Sequence, residues 1–211
     1  MIRLNISRQR KLLRPAAPPP NLLLRGGLFA HPALRRKLLM PAKKTSAKTS
    51  PKASVDRDAA LRQQLLDLLN GGHAHATFDA ALRSLPPALR GKRPKGAAHS
   101  PWEVLEHMRI AQWDILEFSR DAAHQSPDWP SGYWPATPAP PDAKAWDKSV
   151  RAFRRDLQAM CDLVANPSTD LYARIPQGDG QTILREALLV ADHNAYHLGE
   201  LVLLRRLLGA W

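Results

Sequence analysis

The run His193-Asn194-Ala195-Tyr196-His197 sets two imidazoles four residues apart. On a helix that spacing brings both rings to one side, within reach of one ion. The pair alone says little. The chain holds eight histidines, and the glutamate that accompanies the first histidine of a zinc-peptidase helix is missing. On spacing alone the two rings read equally well as ordinary polar residues. A third ligand from another helix would change that, and His107 is the candidate, because it borders an apolar stripe as the other two do. Neutral imidazoles buried without partners are costly, whereas three converging on one divalent cation are satisfied together. Cys161 is the only cysteine, so a disulfide framework and a Cys-pair zinc site are excluded, and any metal must be held by histidine and carboxylate. Cys161 itself falls at core spacing and reads as a small buried hydrophobe.

Other groups sit where they could support such a site. Asp114 lies two helical turns from His107 and reads either as an orienting or catalytic carboxylate or as an ordinary surface acid. Glu186 and Glu200 fall on the histidine side of their helix. His73 and His75 could line a cleft but suit a polar rim better, and Trp129, Tyr133 and Trp134 could wall a pocket or simply pack.

These residues need helices to carry them. Leu61, Leu65, Leu68 and Leu69 recur at helical spacing and run into Gly71-Gly72, where a kink or break is expected. The pattern resumes through Phe78, Ala81 and Leu82 and stops at Pro86-Pro87. Ser100-Pro101-Trp102-Glu103 supplies an N-cap, a proline at the first helical position and a capping-box glutamate, so a second helix is expected over 101–121. Its core stripe is Val104, Met108, Ala111, Ile115 and Phe118, with His107 and Asp114 on the edge. A long proline-rich connection follows over 122–143, and then a third helix over 144–163, with Trp146, Val150, Phe153 and Leu157 inward and Arg151, Arg154, Arg155 and Asp156 solvated. Thr182 caps a last helix over 183–208, whose main stripe reads Leu184, Leu188, Ala191, Ala195, Leu198 and Val202. Four helices without a credible strand predict an all-α four-helix bundle with a long crossover between helices 2 and 3.

Leu189, Leu203, Leu207 and Trp211 fall on the opposite side of the last helix. A symmetric homodimer would bury that surface, unless the aromatic loop over 129–135 folds back across it.

The net charge of +12 resembles a nucleic-acid-binding signature until it is placed along the chain. Residues 1–55 carry 13 of the 31 basic residues and none of the 19 acidic ones, so residues 56–211 are close to neutral. The expected organisation is a basic disordered tail over 1–55 and one bundle domain over 56–211, with Met40 as the natural start and 1–39 as upstream read-through. Phe29 is the only aromatic residue among those charges, which argues against specific nucleic-acid recognition. No apolar run is long enough for a membrane span or a secretory core, and a cytoplasmic protein is expected.

The segment 100–116, SPWEVLEHMRIAQWDIL, the WPSGYWP loop at 129–135, and the run ADHNAYHLGE at 191–200 resemble the DinB-like superfamily. The resemblance covers about 56–211 and leaves the tail without a counterpart. It implies a four-helix bundle, often a homodimer, in which one histidine of the second helix and a His-x-x-x-His pair of the last helix hold a divalent metal. Carried onto this sequence, the ligands are His107, His193 and His197. The metal's identity (Zn, Ni, Fe or Mn) is left open. The family's name records induction by DNA damage, not chemistry on DNA. Characterised relatives include thiol-dependent transferases and isomerases, so the motif specifies the site better than the substrate. Two functional classes follow. One is a metal-dependent hydrolase or thiol transferase acting on a small molecule; whether it uses a bacillithiol-like, mycothiol-like or glutathione cosubstrate is left open. The other is a non-enzymatic, stress-related dimer whose metal is structural or vestigial. DNA binding through the tail is a distant third.

Overall fold

The computed structural model describes residues 56–211. The basic segment 1–55 and the expectations placed on it lie outside the described residues. Five helices and no strand make up the described residues: α1 (Arg57–Asn70), α2 (Phe78–Leu82), α3 (Pro101–Arg120), α4 (Ala145–Ala165) and α5 (Ile183–Leu207). The fold is all-α, and no described helix is long and apolar enough to cross a membrane.

The helix boundaries follow from local chemistry. Asp56 accepts the backbone N–H groups of Asp58 and Ala59 and opens α1. Gly71, at φ 66°, closes it, so the chain breaks at the glycine pair instead of kinking. Leu65 and Leu69 point inward, but Leu68, expected on the same stripe, is 53% exposed. Thr77 caps the short α2. At α3 the capping box forms reciprocally between Ser100 and Glu103. The Ser100 hydroxyl also donates to the Pro138 carbonyl at 2.5 Å, tying the start of α3 to the long connection. Asp142 accepts from the first amides of α4, and Thr182 caps α5.

The four long helices pair as α1 with α4, α4 with α3, α3 with α5, and α5 with α1, and α2 lies against α5. Ser149 donates to Glu106 and Gln112 to the Phe153 carbonyl, in the same order along both helices, so α3 and α4 run side by side in one direction. The connection between them, residues 121–144, carries the chain back. One apolar cluster joins Phe78, Leu105, Met108, Trp146, Phe153 and Leu201, and a second joins Leu65, Leu116, Met160, Val164, Leu171 and Val190. Between them Gln112 and Asn194 span α4, α3 and α5: Asn194 donates to the Gln112 carbonyl oxygen at 2.8 Å and Gln112 to Phe153 at 2.7 Å.

Two expectations need correcting. Asp156, placed on the solvated face of α4, is 3% exposed and is held by Arg155. The buried face of α5 is Ala187, Val190, Asn194, Leu198, Leu201 and Leu204, and Leu188 stands 44% exposed. At 100° per residue this is a rotation of roughly 90° from the expected stripe. Because apolar residues surround most of α5, hydrophobicity alone does not choose its inner face. The polar groups that need partners do: Asn194 through Gln112, and Arg205, which donates to the Ala80 and Ala81 carbonyls at the end of α2. The outer face of α5 keeps Leu203 and Leu207 exposed, together with Tyr196. The aromatic loop does not cover them, because it docks over His107 instead.

Candidate metal centre

α3 and α5 carry the three histidines to one point. His107 and His197 are buried and His193 is half-buried, and one ring nitrogen from each lies within 4.8 Å of the others. The Nε2 atoms of His107 and His193 are 3.1 Å apart. Two nitrogens bound to one tetrahedral ion at about 2.1 Å would stand about 3.4 Å apart.

Two of the rings are oriented by what their other nitrogen does. His107 Nδ1 donates to the Tyr133 carbonyl at 2.9 Å, and His197 Nδ1 donates to Glu200 at 2.9 Å. Each bond places the proton on Nδ1 and leaves the Nε2 lone pair for the centre. His193 Nδ1 is buried and has no partner within the protein. If His193 carries its proton on Nδ1, a buried donor is unpaired and two lone pairs face each other. If the proton sits on Nε2, it bonds His107 but leaves Nδ1 a buried acceptor without a donor. Either tautomer leaves a cost. A cation among the rings removes the lone-pair repulsion of the first, so the donor set fits a divalent metal. Burial of the cationic form holds His107 down at about 4 and His193 at about 3, so both rings are neutral, the state in which imidazole ligates.

The surroundings are aromatic and acidic. Trp134 lies flat between His107 and His99, with ring centroids 4.0 Å from each. Glu200 accepts from His197 and, through its other oxygen, from His99 at 3.2 Å. These hydrogen bonds, the one from His197 foremost, hold its carboxyl below the usual carboxylate range. Tyr133 is 1% exposed, and its hydroxyl donates to Asp114 at 2.6 Å. Burial, reinforced by that carboxylate, raises the phenol far above its ordinary range and keeps it a donor.

Asp114 thus stands apart from the three rings. It is 1% exposed, and its second oxygen takes His124 Nε2 at 2.8 Å. Glu186 turns to Arg185 and not to the histidines, and its carboxyl is raised by burial. His73 and His75 are exposed; His75 lies on the α1 side of α5, beside Asn194 and Ala195. Trp129 is 58% exposed, so of the three loop aromatics only Tyr133 and Trp134 reach the centre. Burial pushes the Cys161 thiol up to about 11, as suits an inert core residue. Sequence reasoning missed His99, which precedes the α3 cap, and His124, which follows the helix. It also missed the Tyr133 carbonyl, a backbone atom that no residue type announces.

Residues 72–201, more than half of the chain, match the family model of the DinB superfamily, and the chain belongs to that superfamily. The matched stretch contains all three histidines and the aromatic loop. No curated protein and no solved structure matches the chain.

Proposed function

We propose that the protein is a cytoplasmic metal-dependent enzyme that holds one divalent cation through His107, His193 and His197 and acts on a small molecule, as a hydrolase or a thiol-dependent transferase. The observation that carries this reading is the convergence of the rings of His107 and His197, each with Nε2 freed by an acceptor on Nδ1, on a third ring whose Nδ1 has no internal partner. Three histidines leave coordination positions open, the arrangement of a catalytic and not a structural site. A cation held there would supply Lewis-acid activation of a water or thiol. The chain's own contribution is orientation: Glu200 fixes His197, the Tyr133 carbonyl fixes His107, and Trp134 shields the His107 ring from water. Asp114 acts in this reading by positioning Tyr133, since both of its oxygens are engaged.

The purified protein should carry about one divalent cation per chain, and His193→Ala should lose it together with activity in a screen against low-molecular-weight thiols and small electrophiles. Unchanged metal content in the single alanine variants of all three histidines would sink the assignment.

The exposed leucines of α5 favour self-association, which both the enzyme and the structural-dimer readings allow. Wild-type protein should sediment as a dimer at micromolar concentration and Leu203→Glu as a monomer. A wild-type monomer, or a dimer indifferent to the change, would refute this interface.

A further inference from the structure

We propose that the connection 121–144 is a working part of the metal centre, in which Tyr133 and Asp114 are positioning residues that set how tightly His107 binds a cation. The proposal rests on the reading of His107, His193 and His197 as ligands.

His107 offers Nε2 as a ligand only while Nδ1 keeps its proton and the ring is held in place. Its acceptor, the Tyr133 carbonyl, belongs to a loop, not to the bundle. A loop carbonyl is a poor reference point unless something fixes it. Here Tyr133 is fixed by its other end, because its hydroxyl donates to Asp114, which stands on α3 as His107 does. Seven residues separate the two, about 10.5 Å along the helix. Tyr133 therefore bridges two points of one rigid element, carbonyl to the first and hydroxyl to the second. His124 Nε2, on the remaining Asp114 oxygen, leaves that carboxylate little freedom to turn.

The next residue completes the clamp. Trp134 lies on the His107 ring at an interplanar angle of 4°, so turning the imidazole requires moving the indole. The far side of the indole is covered by His99, which Glu200 ties to α5. Position and tautomer of one ligand are thus determined by a hydroxyl–carboxylate bond two helical turns away. Linkage makes the effect reciprocal: whatever loosens the loop weakens the metal, and a bound metal steadies the loop by the same factor.

The test compares Zn(II) affinity, measured by competition with a chromophoric chelator, among folded variants. Tyr133→Phe removes only the hydroxyl and keeps the carbonyl and Trp134. It should weaken Zn(II) binding by about 10–100-fold, the usual cost of losing support behind a ligand. Asp114→Asn should shift affinity in the same direction. Gln125→Ala, an exposed change in the same connection, should stay within about twofold of wild type. A second readout uses the Tyr133–Trp134 peptide bond, the one aromatic site in 129–135 that chymotrypsin can cut, since Trp129 and Trp134 precede proline. Zn(II) should slow that cut in wild type and slow it less in Tyr133→Phe. A purely structural role would lower the melting temperature of the metal-free protein and leave the affinity where it was. Zn(II) binding unchanged in both Tyr133→Phe and Asp114→Asn, with His193→Ala still abolishing it, overturns the proposal alone. A wild-type protein that binds no Zn(II) overturns it together with the ligand reading.

Discussion

The same two helices bury polar groups at two neighbouring levels, and the levels are built to opposite plans. At Gln112 and Asn194 donors meet acceptors: amide N–H to amide oxygen, amide N–H to the Phe153 carbonyl, with only Asn194 Oδ1 left over. But for that one oxygen such a chain is closed within the protein, and it fixes how α3, α4 and α5 lie against one another. Less than two turns along α3, at His107, acceptors meet acceptors. Two rings spend their protons on outward bonds and turn lone pairs toward each other and toward His193. Whichever tautomer His193 takes, folding leaves a cost in that arrangement. The difference separates a polar layer that holds a bundle together from one whose lone pairs a cation would satisfy.

The comparison breaks most sharply at His193. Its replacement by alanine should abolish metal binding, whereas changes at Gln112 or Asn194 should leave metal content untouched; loss of metal from Gln112→Leu would merge the two levels into one.

A second contrast is pH. In metal-free protein His107 and His193 resist protonation down to about 4 and about 3, while in the unfolded chain both take up protons below about 6.5. The unfolded state therefore binds more protons as pH falls, and stability declines between about 6.5 and 4, by up to about 1.4 kcal/mol per pH unit for each ring. The decline levels off once the folded protein titrates as well. Urea unfolding of chelated protein at stepped pH would reveal it, and a flat profile from pH 7 to 4 would contradict the burial argument. The amide layer has no titrating group, so Gln112→Leu should preserve this slope.

The smallest expected effect belongs to the amide layer itself. Gln112→Leu strands the Asn194 N–H, while the Phe153 carbonyl keeps its own helical bond, and should cost about 1–3 kcal/mol. Adding Asn194→Leu should recover part of that loss, because removing both partners leaves fewer orphans. Equal losses in the single and double variants, read by thermal or urea unfolding, would mean that packing and not hydrogen bonding sets the cost.

Much of this was legible in the sequence where one residue type determines one local outcome. The capping box and Pro101 place the start of α3 to the residue, and the His-x-x-x-His spacing places two ring nitrogens together. Glu200 was visible because it follows His197 by three residues on one helix. The inner face of α5 was not visible, since most of its circumference is apolar and the decision passes to polar pairs with other helices. Nor was the support of His107, which comes from a loop carbonyl 26 residues away, held by a carboxylate on the same helix as His107. Tertiary hydrogen bonds to backbone leave no periodic trace.

The double-glycine break after α1 has a dynamic consequence. α1 buries only Arg62, Leu65 and Leu69, and the family match begins at residue 72, just beyond the break. Much of what fastens its first turns is one guanidinium, Arg62, whose fork reaches the carbonyl of Val164 in the last turn of α4 and those of Asn166 and Thr169 just beyond it. A segment so attached, hinged at Gly71 and Gly72, opens as a unit without unfolding the helices that carry the histidines. Its amide hydrogens would exchange together and ahead of those of α3. The histidine cluster and the first helix then belong to different tiers of stability in one small domain.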